Sequence, residues 1–358
     1  MNNIITLSGD PGSGKSTVRN NLKKRFEKQG KQVIIYSVGD IFRQLAEEKG
    51  LGVTEFNQFL EKNKTNVDEV LDTAVVKFGE RVKKEKAENK IYIVDSRLAW
   101  HGIPQSLKVR LEVTDVIAGK RIFKDRSRGE EEQYKSEEAA IISTAERKNS
   151  ERERYLDLYG IDLQDSEQYD LVIDTSYATV EDIADIVDRC MEAQNEQKQF
   201  SRYWKSPKQF MPIQSIMQTF NGNADSGMTL KEWKKRITEN GVDIESPITT
   251  IKVGETFFVR DGHHRNFGAA LAGKTLIPYE IKWRDDSDYN GMKAKDFISN
   301  SVLGDWKYDR DLYEYEEFLS TGERHFSYMT IYPGIEKEKI YEGYKENRNG
   351  QRRWSTIE

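Results

Sequence analysis

The sequence predicts an α/β chain: a parallel sheet with helices on both faces, followed by a smaller α+β unit. Three observations carry this expectation. Short apolar runs alternate with helical stretches through the first half of the chain, the pattern of a parallel sheet. A glycine-rich loop ending in Lys-Ser separates the first apolar run from the first helical stretch. After Cys190 the composition turns polar before a second set of strands and helices begins.

Each element follows from its residues. Ile4 to Leu7 is apolar and suits a first strand, and Ser16 to about Gln29 reads as a helix. Lys31 to Ser37 (KQVIIYS) is a second strand, and Asp40 to Lys49 is helical. Much of Val53 to Lys86 carries apolar residues near a 3.6 spacing. Ile91 to Val94 and Val109 to Val113 are the third and fourth strands. Asp115 to about Arg154 reads as consecutive helices with a highly charged turn. Leu171 to Asp174 is a fifth strand, closed by an amphipathic helix from Val180 to about Glu192. Residues 193–209 are polar and carry a proline, which predicts a linker. Beyond it come a helix near Thr229 to Asn240, strands near Ile248–Val253 and Thr256–Val259, a helix from His263, and a strand over Ile277–Ile281. The predicted divisions are 1–192, the linker 193–209, a second unit 210–283 and an extension 284–358 of unassigned role.

Composition narrows the class. The chain has 358 residues, enough for two or three domains. Its mean hydropathy is -0.79, yet 17 Tyr, 15 Phe and 6 Trp supply the aromatic mass that disordered chains lack. No run approaches the ~20 apolar residues of a membrane span. MNNIITLSGD has no basic leader, and Cys190, the one cysteine, allows neither an internal disulfide nor a cysteine-based zinc site alone. The expected compartment is the cytoplasm. The net charge of -5 excludes a globally basic nucleic-acid coat but not a local basic groove.

Gly9-Asp10-Pro11-Gly12-Ser13-Gly14-Lys15-Ser16 fits G-x-x-x-x-G-K-[ST] at every fixed position. Gly9, Gly12 and Gly14 let successive backbone N–H groups, with Ser13 and Thr17, turn toward a phosphate. Lys15 reaches the β/γ-phosphates, and the Ser16 hydroxyl suits Mg²⁺. The next helix aims its positive end at the same anion. Arg43, after the second strand, suits a bidentate grip on a monophosphate. Asp95 can hold the water shell of Mg²⁺, and Arg97 can face an acceptor phosphate. Lys120, Arg121, Lys124, Arg126, Arg128, Arg147, Arg152 and Arg154 concentrate positive charge in one stretch. A mobile arginine-bearing lid would use such charge to stabilise phosphoryl transfer and exclude water. The interleaved Glu130, Glu131, Glu132, Glu137 and Glu138 instead suit a solvated helical face, so only some of these cations are expected to be catalytic.

GDPGSGKST, SVGDIFRQLAEEKG, VDSRLA, ERKNSERERYLDLYGID and YDLVIDTS, in that order, resemble the archaeal-type cytidylate kinases of the nucleoside monophosphate kinase superfamily. The resemblance covers about residues 3–190. It implies a five-stranded parallel core, a monophosphate-binding region and a lid, with ATP·Mg²⁺ as donor. It places Lys15 and Ser16 at ATP and Mg²⁺, and Asp40, Arg43 and Arg97 at the acceptor. Arg121, Arg126, Arg147 and Arg154 then line the lid and the transferring phosphate. Two departures bear on the acceptor. Trp100 follows Leu98-Ala99 where the family has a small glycine, and Lys148 follows Glu146-Arg147 where it has an acidic residue. Trp100 would stack on a different base or cap a pocket open to a larger substrate.

In the second unit, Asp261-Gly262-His263-His264-Arg265 follows a strand and opens a helix, a composition suited to a second phosphate site. Adjacent histidines on a helix point about 100° apart and make poor joint metal ligands. The run PITTIKVGETFFVRDGHHRNFGAALAGKTLIPYEI resembles the ParB/sulfiredoxin-like fold over about residues 208–283. That resemblance implies phosphate contacts at Asp261, His263, His264 and Arg265. It offers no reactive cysteine in the turn and no assigned catalytic glutamate, although Glu245 and Glu255 lie near in sequence.

Three functions remain open from sequence. The first is an ATP-dependent kinase of a free nucleoside monophosphate. The second is a kinase acting on a hydroxyl in nucleic acid, such as a hydroxymethylpyrimidine in phage DNA, where the base must be flipped out. The third is a nucleotide-switched DNA-binding protein whose second unit dominates, with salt-dependent binding as its mark.

Overall fold

The computed structural model describes residues 3–37, 45–52, 55–56, 59, 67–85, 89–125, 134–213 and 227–298. The chain divides into two compact units, Met1–Arg202 and Tyr203–Glu358.

The first unit is built on five parallel strands: β1 (Ile4–Gly9), β2 (Gln32–Ser37), β3 (Lys90–Asp95), β4 (Leu107–Glu112) and β5 (Leu171–Asp174). Their order across the sheet is β2-β3-β1-β4-β5, with every adjacent pair parallel. Strands covered on both faces need apolar residues on both, and β1 is buried at all six positions. The chain moves outward on one side of β1 and then continues on the other. Ligands of such sheets bind beyond the carboxyl ends of the strands near that reversal.

The helices of this unit are α1 (Lys15–Lys28), α2 (Val67–Lys84), α3 (Ala99–Gly102), α4 (Asp115–Lys124), α5 (Glu137–Tyr159) and α6 (Val180–Asn195). Helix α2 sends Val75, Phe78 and Val82 against Ile4, Tyr92, Val94 and Ile103. Phe78 stacks on Tyr36 with ring centroids 3.9 Å apart. Helix α6 starts on a Thr179 cap that accepts from the Asp182 N–H, and buries Ile183, Ile186, Val187, Cys190 and Met191. Arg25 of α1 bonds both Asp188 (2.6 Å) and Asp185 (2.7 Å), tying α1 to α6. Burial pushes the Cys190 thiol pKa up to about 12, so this cysteine is an inert core residue.

The second unit holds a mixed sheet of β6 (Tyr203–Lys205), β7 (Phe210–Pro212), β8 (Ile248–Val253), β9 (Thr256–Asp261) and β10 (Ile277–Arg284), ordered β6-β10-β8-β9-β7. Strands β8 and β9 form a hairpin over Gly254, whose φ of +55° is the left-handed conformation a tight turn needs. Helices α7 (Leu230–Asn240) and α8 (His263–Leu271) complete it, followed by the small ribbon β11 (Asp288–Tyr289) and β12 (Met292–Lys293) and by α9 (Ala294–Ile298).

The stretch 193–209 differs from the expected linker. Helix α6 continues to Asn195, Trp204 of β6 is fully buried, and Ser206 and Gln209 form a reciprocal capping box. A single tryptophan anchors this segment although its neighbours are polar. No helix of the described residues is long and apolar enough to cross a membrane.

Candidate active site

The site starts where β1 ends. Gly12 and Gly14 adopt φ of +76° and +80°, which L side chains rarely adopt. A Cβ on Gly12 would also stand 2.8 Å from Ala118 Cα of α4. The Asp10 N–H donates to Leu111 O at 3.0 Å, and the Ser13 N–H to Asp10 O at 3.1 Å, closing the loop. Helix α1 then begins at Lys15 with no acidic residue in its first turn, so its N-terminal end is electropositive.

A cavity of about 720 Å³ opens over this loop. Gly9 to Val18 form its floor, and Arg97, Arg121 and Arg147 form part of its wall. Ile122, Ala178, Val180 and Ile183 add apolar surface to its lining. The cavity thus combines groups suited to phosphates with apolar surface suited to a flat base, the pattern of a small-molecule site with few convergent polar groups.

Lys15, Arg97 and Arg147 are held by carboxylates, and Arg121 by backbone carbonyls. Lys15 Nζ lies 2.7 Å from one Asp95 oxygen, and Arg19 Nη1 lies 3.0 Å from the other. Arg97 makes a bidentate pair with Glu151 at 2.7 and 2.5 Å, and Arg147 Nε reaches the same carboxylate at 3.2 Å. Arg121 donates to Thr175 O at 2.6 Å and to Gly12 O at 3.3 Å, locking loop to strand end. Burial lowers the Arg121 pKa, with Asp174 working the other way.

Behind the loop sits a buried ion cluster. Arg110 of β4, 4 % exposed in its side chain, bonds Asp10 Oδ1 at 2.8 Å and Glu112 at 3.1 Å. Lys148 of α5 lies 3.0 Å from Asp10 Oδ2 and 3.4 Å from Asp115. Burial works against both cations, but Asp10 and the second carboxylate beside each outweigh it and raise their pKa values.

The structure thus brings Gly9, Gly12, Ser13, Gly14, Lys15, Ser16, Thr17, Arg97, Arg121 and Arg147 to one cavity. Asp95 joins them through Lys15. Arg154 is not among the residues lining it. Its guanidinium lies 5.2 Å from the Tyr155 ring centroid. Trp100 is also placed differently from the expected base platform. It is 6 % exposed and packs on Tyr169 with centroids 5.1 Å apart, so its faces are committed to the core. Asp40, Arg43, Arg126 and Arg128 lie outside the described residues. Arg19, Arg110 and Glu151 were not singled out from sequence. Arg110 did leave a signal, a cation between Val109 and Leu111 in a strand whose other charges, Lys108 and Glu112, stand nearer its ends, and Glu151 stands at i+4 from Arg147.

In the second unit, Gly262 takes φ +94° between β9 and α8, where a Cβ would meet Ile248 Cγ2 at 2.6 Å. Arg265 pairs with Asp261 at 3.0 Å and donates to Ser246 O and Pro247 O, both at 2.9 Å. His263 is buried and accepts from the Ile213 N–H at 3.3 Å. Burial, with His264 and Arg260 beside it, lowers its pKa to about 3, so it is neutral and its Nε2 lone pair is used. His263 and Arg265, expected as phosphate contacts, thus hydrogen-bond to backbone groups around the turn.

Among the described residues no three His, Cys, Asp or Glu side chains converge to hold a metal ion. Residues 4–177 match the cytidylate kinase-like family. The cytidylate kinase of Pyrobaculum neutrophilum is 32% identical over 182 residues, 50% of this chain and 87% of that protein. The chain belongs to the cytidylate kinase-like family. It is a kinase, with a phosphotransferase unit of the nucleoside monophosphate kinase type. The cytidylate kinase of Pyrococcus abyssi is 34% identical over 185 residues, 51% of this chain and 91% of its own. The S-adenosylmethionine-dependent nucleotide dehydratase of Lacinutrix mariniflava is 33% identical over 189 residues, 52% of this chain but 35% of that protein. The relatives of this kinase unit therefore include a much longer protein.

Proposed function

We propose that the first unit transfers the γ-phosphoryl group of ATP to the phosphate of a nucleoside monophosphate, CMP being the first acceptor to test. The observation that carries this reading is the shared cavity, in which Lys15 of the glycine loop faces Arg97 and Arg147. A phosphate oxygen of the acceptor attacks the γ-phosphorus, the bond to the β–γ bridging oxygen breaks, and ADP leaves. The reaction asks the protein for positioning and for positive charge around the moving group. The glycine loop and Lys15 would hold the donor phosphates, with Arg121 bracing the loop. Arg97 would grip the acceptor phosphate and Arg147 the transferring group, once Glu151 releases them. The hydroxyl of Ser16 would hold Mg²⁺, and the carboxylate of Asp95 would do so through a water once Lys15 turns from it to the phosphates.

For the second unit we retain the ParB/sulfiredoxin-like reading, supported by the strand–Gly262–helix turn. Its role as a second nucleotide or nucleic-acid site is a proposal that the buried His263 does not favour. ADP release from ATP·Mg²⁺ by the full chain tests both readings at once. The acceptors would be CMP, dCMP, UMP, dUMP, dTMP, hydroxymethyl-dUMP, free serine, plain DNA and hydroxymethylated DNA. Turnover on CMP or another free monophosphate is the expected result. Turnover on modified DNA alone would overturn it in favour of a nucleic-acid kinase.

A further inference from the structure

The glycine loop of this protein carries its own negative charge. Asp10 directly follows Gly9, and it lines the large cavity where the proposed reading puts the donor phosphates. It also lines a small neighbouring cleft, together with Arg110, Lys148 and Glu151. A carboxylate in that place would repel the phosphates unless its charge is balanced. Arg110 cannot do this alone, because it is shared with Glu112. Lys148 adds a second cation, its ammonium 3.0 Å from the Asp10 oxygen that Arg110 does not bond and nearer to it than to Asp115, at 3.4 Å.

Lys148 is also placed to transmit position. It stands on α5 beside Arg147, which lines the cavity, and one turn before Glu151, which holds Arg97. It further reaches Asp115 in the first turn of α4. One side chain thus joins the glycine loop to both helices that follow β4.

We infer that Lys148 is a positioning residue for the donor nucleotide: it neutralises Asp10 of the glycine loop and fixes α5 against that loop. The inference rests on the proposed reading that ATP binds there. It differs from a purely structural role in one respect. If the ammonium matters because of the Asp10 charge, removing that charge should make the ammonium dispensable.

The experiment is calorimetric titration of the full chain with Mg²⁺ and the β,γ-imido analogue of ATP. It compares the natural protein with Lys148→Met, Asp10→Asn and the double variant, each checked by its melting curve. Lys148→Met should weaken binding about tenfold, the effect of one unbalanced charge near the surface. The double variant should recover to within about threefold of the natural protein, because both members of the pair are then neutral. A further variant, Lys148→Arg, keeps the positive charge and should bind within about threefold of the natural protein, which keeps the test decisive if Lys148→Met folds poorly. Unchanged binding in Lys148→Met would overturn the inference alone. So would a double variant as weak as Lys148→Met, or Lys148→Arg binding as weakly as Lys148→Met. Absence of binding by the natural protein would overturn the reading of the loop and the inference with it.

Discussion

Lys15 is held by Asp95 in this structure, and Asp95 is also held by Arg19. Binding a nucleotide must therefore exchange one ion pair for another, which keeps the ammonium positioned at little cost in side-chain entropy. Replacing Lys15 with Ala should cut ATP-dependent transfer by orders of magnitude, because the charge facing the β/γ-phosphates is gone. The melting temperature should change little, since Arg19 still pairs Asp95. Steady-state kinetics beside a melting curve checks both halves. His263 makes a different residue-scale prediction. Its folded pKa of about 3 lies below the ordinary value of 6.5, so the unfolded chain binds the extra proton. Its contribution to stability is complete above about pH 6.5 and is lost as pH falls toward 3, by at most about 1.4 kcal/mol per pH unit. Urea midpoints between pH 7 and 4 should fall for the full chain. They should fall less steeply for His263→Gln, which retains an acceptor for the Ile213 N–H but has no ring to protonate.

At the scale of elements, α4 and α5 cross closely enough to require a glycine. A Cβ on Gly119 would stand 2.4 Å from Ile141 Cα, an approach that only backbone movement can relieve. Gly119→Ala should cost about 1–3 kcal/mol and displace α5, with Arg147, from the cavity. The expected result is a lower melting temperature together with a reduced kcat. Full activity with a lower melting temperature would separate packing from positioning. Most element boundaries follow from local chemistry. The apolar runs of β1, β3 and β5 and the capped amphipathic α6 are legible one residue at a time. The polar stretch 193–209 is not, because Trp204 reveals its burial only through strands far away in the sequence.

At the scale of the molecule, the chain divides into two compact units, and each is expected to unfold as a cooperative body. Calorimetry of the full chain should resolve two transitions. ATP·Mg²⁺ at 100 times its Kd should stabilise only one of them, by about 2.7 kcal/mol. A single transition that moves as a whole would show that the units are energetically coupled. The sequence by itself determined the phosphate loop, because G-x-x-x-x-G-K-S is a local code whose meaning lies in adjacent backbone N–H groups. It determined the parallel sheet as well, since alternation of apolar runs with helices leaves few other solutions. Only the tertiary structure decided what faces the loop. Arg97 and Glu151 are 54 positions apart, and Asp10 and Arg110 are 100 apart. Pairing at such separation is set by how the strands are ordered in the sheet and how the helices cross. The same geometry turned Trp100 into the core and brought Lys148 to Asp10. A side chain's charge is written in the sequence, but its partner is fixed by the path of the backbone through space.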